Sequence, residues 1–307
     1  MTARDVPEAD RVFRLAFATH LGVSPETFMD DRDVMRGRFV TNPGGTIVAT
    51  DAHEFAGSNV VTNWGSFGWF GPLTVHPRYW GKGVAQRLLE RTLEIFAAWG
   101  TRCSALFTFA DSPKHHRLYQ RFDYWPRFLT AIMSKPAAPA LQAISPRFTR
   151  YSELSASDQR ACLGAAFELG NEIFAGLDLR SELQGLQAQK IGDSIWLMAG
   201  SRVEGFALCH FGTGSEATAG SCYVKFAAAR PGKSGQRTFD DLLDACDALA
   251  LREGLTSVEA GVNLERTAAY QTLLRHNYRA GFCGVCMLRG NERGYNRPDV
   301  FLIDDLR

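Results

Sequence analysis

The stretch LTVHPRYWGKGVAQRLL, residues 73–89, decides how the rest of the chain is read. An apolar strand of Leu73, Thr74 and Val75 runs into Pro77 and then into the glycine turn Gly81-Lys82-Gly83. Val84, Leu88 and Leu89 follow at the spacing of one face of an amphipathic helix. The first N–H groups of a helix have no partner within it and lie at the positive end of its dipole. A strand that turns through glycines into a helix therefore makes a site for a phosphate. Glycine belongs in such a turn because the main chain must approach the ligand closely and can take positive φ.

At 307 residues the chain is long enough for two ordinary domains, and its 45% apolar content is that of a globular soluble protein. No run approaches the roughly 18 apolar residues needed to span a bilayer. The N-terminal MTARDVPEADRVF carries acids and no apolar core, so it does not read as a secretory signal. A net charge of +1 argues against a general nucleic-acid or membrane-surface role. The seven cysteines are scattered and odd in number, which suits reduced thiols in a cytoplasmic protein better than a disulfide framework. Cys283-Gly-Val-Cys286 has redox or metal spacing, but no second such pair or His pair accompanies it. In an apolar strand its two side chains would face opposite sides, so they read as buried small residues and no metal is expected.

Residues 5–20 place Ala9, Val12, Phe13, Ala16 and Phe17 on one side of a helix, and Thr46–Ala49 with Phe55–Gly57 read as a hairpin. The aromatic run Trp64 to Phe70 leads into the opening strand and reads either as core or as the lining of an acceptor pocket. A helix ending near Trp99-Gly100, a strand Ser104–Phe109, a helix Ser112–Arg121 and a strand over 128–133 complete the first half. Pro136, Pro139 and Pro146 mark a linker. The same order then recurs: a short strand at Phe148–Tyr151, a helix Asp158–Leu169, a hairpin Ile195–Ala199 with Glu204–Leu208, and a strand Cys222–Ala228. Landmarks repeat 154 positions apart, at prolines 77 and 231, leucine pairs 88–89 and 242–243, glycines 100 and 254, and tyrosines 124 and 278. One plan is used twice, as in a tandem duplication.

The residue order of the opening stretch resembles the acetyl-CoA-binding motif of the GNAT acetyltransferase superfamily, roughly V-x-P-x-x-R/Q-G-x-G-x-G/A before a leucine-rich helix. Val75, Pro77, Gly81, Gly83 and Ala85 match, and Trp80 stands where the family has Arg or Gln. The family's second motif, roughly N-x-x-A-x-x-L-Y-x-x-x-G-F, ends on a glycine in the left-handed region. Asp123 and Asn277 replace that glycine in the two copies, and Asn and Asp are the non-glycine residues that best tolerate the conformation.

The resemblance implies two mixed α/β domains with the tandem GNAT acyl-CoA N-acyltransferase fold, each a twisted mixed sheet flanked by helices. Expected boundaries are residues 1–135 for a catalytic N-terminal domain, 136–146 for the linker and 147–307 for a degenerate second domain. It also implies acetyl-CoA as co-substrate, its diphosphate on backbone N–H groups between Trp80 and Ala85 and its pantetheine arm along Leu73, Thr74 and Val75. A strand N–H would serve as oxyanion donor. Lys82 adds charge to the phosphates or is simply solvated. Tyr119 falls on the family's tyrosine, which protonates the leaving thiolate, and its bland reading is a packing residue. Ser112 falls on the family's asparagine near the pantetheine, or is a helix N-cap.

His76, Asp51, Glu54, Asp111, His115 and His116 are all near the cleft in sequence, and none is assigned as general base. In the second copy Arg237, Phe239 and Leu273 replace Gly83, Ala85 and Tyr119, so one CoA per chain is expected. The expected activity is acetyl-CoA-dependent N-acetylation of a primary amine of a small molecule or peptide, by direct attack on the thioester. A non-catalytic acyl-CoA sensor and a transferase of a longer acyl group are the alternatives. No nucleic-acid or membrane partner is expected, a homodimer is left open, and the location expected is cytoplasmic.

Overall fold

The computed structural model describes residues 1–139, 148–200 and 202–307; residues 140–146 of the expected linker lie outside the described residues. Helix α1 (Val6–Leu21) buries Ala9, Val12, Phe13 and Ala16 and ends on Gly22, whose left-handed backbone returns its N–H to Ala18 O. The N-cap Asp33 accepts from Arg36 N and starts α2 (Val34–Thr41). The hairpin of β1 (Thr46–Asp51) and β2 (Glu54–Trp64) follows, then β3 (Phe67–Phe70) and, past Gly71-Pro72, the short β4 (Thr74–Val75). After the glycine turn come α3 (Val84–Trp99), β5 (Cys103–Phe109), α4 (Pro113–Gln120) and β6 (Tyr124–Pro136).

The second half runs β7 (Thr149–Arg150), α5 (Ala156–Ile173), α6 (Arg180–Gln189), β8 (Gly192–Ala199), β9 (Arg202–His210) and β10 (Ser221–Ala229). It continues through α7 (Gly235–Arg252), β11 (Ser257–Asn263), α8 (Thr267–Arg275), β12 (Arg279–Arg289) and β13 (Leu302–Ile303). The repeat is geometric: β5 and β11 start and end 154 positions apart, and α4 and α8 start at 113 and 267. Asp123 and Asn277, which close those helices, both sit at φ 65°.

Among the described residues the strands form one 13-stranded sheet, in the order β1-β2-β3-β5-β12-β6-β11-β10-β9-β8-β7. The two halves exchange their last long strands. From the second half, β12 lies against β5 of the first, with Met287 opposite Leu106. In return β6 of the first half pairs with β11 of the second, Ala131 opposite Val262, and the two exchanged strands pair with each other. The hydrogen-bond ladder is therefore continuous from one half into the other.

Neighbouring residues of a strand face opposite sides of the sheet. Val60 packs with Phe13, Val34 and Met35 under α1 and α2, whereas Val61 packs with Leu89, Phe96 and Tyr119 under α3 and α4. In the first half, α1–α2 and α3–α4 thus cover opposite faces. Between the halves a buried ion cluster joins α2 to the second copy: Arg38 pairs with Glu216 at 2.5 Å, and Lys225 pairs with the same carboxylate at 2.7 Å.

Candidate active site

The opening stretch sits where the sheet splits. Strands β3 and β5 pair in parallel from Phe67 opposite Cys103 to Phe70 opposite Leu106. Beyond that point β4 pairs with β2 alone, while β5 continues beside β12. The two strands diverge and leave a cavity of about 400 Å³ between Leu73–Val75 and Phe107–Phe109. The backbone of His76 donates to Ala56 O in β2, whereas Val75 O points into the opening and accepts the Trp80 indole N–H at 2.7 Å. By strand alternation the main-chain groups of Leu73 share the side of Val75.

At the mouth, Gly81 and Gly83 take φ 77° and 81°, and Gly83 is the N-cap of α3. The left-handed backbone is nearly free for glycine and costs an ordinary L-residue about 1–2 kcal/mol. The first helical bond runs from Arg87 N to Gly83 O, so the N–H groups of Val84, Ala85 and Gln86 have no intrahelical acceptor. All three residues line the cavity. So do Lys114, Arg117 and Arg121, spaced along one face of α4 and largely exposed. The mouth is a concentration of positive potential built from a helix terminus and three cationic side chains.

Tyr119 lines the inner wall, its ring 6.0 Å from that of Phe70, and burial pushes its phenol above the ordinary value, so it is protonated at neutral pH. Leu73, Thr74, Val75, Trp80, Gly81, Gly83, Val84 and Ala85 line the same cavity. Two residues expected at the cofactor lie off its wall. Lys82 is exposed and carries its ammonium over the Tyr79 ring at 4.9 Å, the cation–π alternative to a phosphate contact. Ser112 is the N-cap of α4; its carbonyl accepts from the N–H groups of His115 and His116, and it is buried beside the opening rather than in it.

Of the six acid–base candidates only His115 lines the cavity. His76 accepts from Arg78 N, Glu54 accepts from the Tyr79 hydroxyl, and the Nε2 of His116 is 3.0 Å from Phe109 O. Burial pushes His115 down to about 4, with the neighbouring His20, Lys114 and His116 adding to the effect, so its ring is neutral at physiological pH. His20 stands edge-on to it at 5.0 Å between ring centroids. Nothing local marks His20, because α1 is legible only as an amphipathic helix and its last turn meets α4 through tertiary packing. Of the aromatic run, Trp64, Phe67 and Trp69 are buried in the core against the second half, and only Phe70 reaches the cavity.

The equivalent opening in the second half is filled by the chain itself. Strand β13 pairs with β10, Ile303 opposite Ala227 and Leu302 opposite Ala228, and Ala229 N donates to Phe301 O. Arg266, fully buried, pairs with Asp304 at 2.7 Å, and Asp305 accepts from the Tyr223 hydroxyl. A Cβ on Gly261 would lie 2.2 Å from the Asp305 Cβ, which measures how tightly the segment is seated. Phe239, the counterpart of Ala85, packs on Phe301 at 5.7 Å, and Arg237 lies inside α7, which starts at Gly235 from a Ser234 N-cap in the right-handed region. Of the two cysteines expected to be buried, Cys286 is, whereas Cys283, on the opposite face of the same strand, is exposed. Among the described residues no helix is long and apolar enough to cross a membrane.

A mixed sheet that splits beyond a parallel strand pair, with a glycine-turn helix at the mouth of the split, is the acyl-CoA N-acyltransferase fold. Residues 9–124 match the model of the acetyltransferase (GNAT) family. No curated protein is significantly similar to the chain in sequence. Among solved structures, it is similar to a protein of Pyrococcus horikoshii assigned as an acetyltransferase, at TM-score 0.68 and 14% identity over 98% of this chain and 91% of that one. A GCN5-related N-acetyltransferase from Sphaerobacter thermophilus gives TM-score 0.60 at 17% identity over 94% and 93% of the two chains. A tandem GNAT protein from the clavulanic acid biosynthesis pathway gives TM-score 0.54 at 12% identity over 94% and 96%. Nearly the whole chain, not the first half alone, therefore has the fold of GNAT proteins.

Proposed function

We infer that the chain is an N-acetyltransferase that moves the acetyl group of acetyl-CoA to a primary amine of a small molecule or peptide. The observation that carries this reading is the open split between β4 and β5, with a glycine-turn helix terminus at its mouth and a protonated tyrosine in its wall. In this reading the CoA diphosphate rests on the N–H groups of Val84, Ala85 and Gln86, with Lys114, Arg117 and Arg121 close to the phosphates. The pantetheine arm lies along Leu73–Val75 as an added strand, and a β4 N–H facing the split donates to the thioester oxygen as negative charge develops there.

A neutral amine attacks the carbonyl carbon, the tetrahedral intermediate collapses, and the C–S bond breaks. Tyr119 gives its proton to the departing thiolate and recovers one from the substrate nitrogen. The first half is the catalytic unit in this proposal, and the second half, whose split is filled by residues 301–305, is a non-binding copy.

The test is Tyr119→Phe, which keeps the ring packed on Phe70. The expected result is a kcat lower by about 10²–10⁴-fold with acetyl-CoA affinity unchanged by calorimetry. A wild-type protein that binds acetyl-CoA yet releases no CoA with any amine would instead favour a sensor.

A further inference from the structure

The cavity opens on both faces of the sheet, and the two ends differ chemically. On the α3–α4 side it ends in the helix terminus and the cationic face of α4. On the α1 side it meets Ala16, Phe17 and His20. Leu106 points toward α3 and α4, so Phe107 and Phe109, which flank Thr108 on the same strand, reach the α1 side. Phe109 lies 6.0 Å from Phe17 and 4.9 Å from His20, between ring centroids.

The shelf continues onto the strand donated by the second copy. Phe282 of β12 stands 6.2 Å from Phe107 and 6.1 Å from Phe109, and it is 43% exposed. Gly284 makes room for this, because a Cβ there would lie 2.3 Å from the Phe107 Cζ. Among the described residues, the cavity is lined by no aspartate or glutamate. An acceptor with a second ammonium group would find aromatic faces but no carboxylate to pair with, and the cationic groups Lys114, Arg117 and Arg121 of the same cavity would repel it.

Resting on the transferase reading above, we propose that the acceptor is a primary amine carried on a flat apolar body with no second cationic group. It sits on the Phe17–Phe107–Phe109–Phe282 shelf, its nitrogen turned toward His115. His115 is neutral there and sets no positive charge against the amine, whose ammonium proton is lost to solvent before the free base attacks. The free amine then forms the C–N bond as above. The titratable groups around that ring are His20 from α1 and Lys114 and His116 from its own helix; no acid faces it.

The test is a panel of 2-phenylethylamine, n-propylamine and spermidine with acetyl-CoA, on wild type and Phe282→Ala. Phenylethylamine should exceed spermidine in kcat/KM by at least about 100-fold. Phe282 is exposed, so Phe282→Ala should fold, raise the KM for phenylethylamine about tenfold and leave the KM for acetyl-CoA unchanged. A preference for spermidine, or an unaltered Phe282→Ala, would overturn the proposal while leaving acetyl transfer in place. CoA release with none of the three amines would overturn both.

Discussion

Trp80 stands where the family motif carries Arg or Gln, and the structure gives its indole a definite task. Its Nε1 donates to Val75 O at 2.7 Å, and the ring lies under the Lys114 ammonium at 4.7 Å. Val75 O is on the side of β4 that faces the split, so a pantetheine arm paired with β4 competes with the indole for that carbonyl. One such hydrogen bond contributes about 0.5–1.5 kcal/mol net, because water satisfies both groups when it breaks. Trp80→Phe removes the donor, keeps an aromatic face for Lys114, and should tighten acetyl-CoA binding by about 2- to 12-fold. Calorimetry with acetyl-CoA and with adenosine 3′,5′-bisphosphate separates the cause, since the nucleotide has no pantetheine and should bind both proteins equally. Weaker acetyl-CoA binding in the variant would refute the reasoning, as would an equal gain for the nucleotide.

Three further outcomes are expected. Calorimetric titration of the full chain should give one acetyl-CoA per chain; two equivalent sites would contradict a second split filled by residues 301–305. Asp304→Ala should leave Arg266 buried and unpaired, and so lower unfolding stability by about 3–5 kcal/mol in urea; a change below about 1 kcal/mol would mean the segment is only loosely seated. His210 is buried, and desolvation followed by the charge of Lys225 pushes it down to about 3. The unfolded chain therefore binds the proton more readily. Its contribution is complete above about pH 6.5 and is lost as pH falls toward 3, by a few kcal/mol at most. Urea midpoints of His210→Gln should fall less between pH 7 and pH 4.5 than those of wild type, and parallel losses would count against it.

What the sequence made legible was local and repeated. The constant 154-residue offset placed β5 against β11 and α4 against α8 because strand and helix periodicity are written within each segment. The left-handed Asp123 and Asn277 were legible for a similar reason, since few residues tolerate that backbone at a helix end. Lys82 and Ser112 were placed by motif position alone, and motif position does not say which way a side chain turns. Lys82 found the face of Tyr79, and the Ser112 side chain makes no capping hydrogen bond, only its carbonyl accepting at the start of α4. His20 and Phe282 come from elements far away in sequence, and nothing local marks the helix or the strand that will border a site.

The exchange of β6 and β12 was out of reach for the same physical reason. A strand's alternation fixes which face is buried but not which neighbour it will pair with, and either half could have kept its own last strand. The exchange changes what a degenerate second copy is for. Separated from the first half, the second would remove the strand beside β5, together with Phe282 and the Gly284 over which Phe107 lies. The first half would then expose an unpaired β5 edge at the wall of its own cavity. A filled split in the second copy therefore does not free that copy from selection, because one of its strands borders the cavity of the first. Mutations along β12 should alter acceptor kinetics even though the residues belong, by sequence, to the second copy.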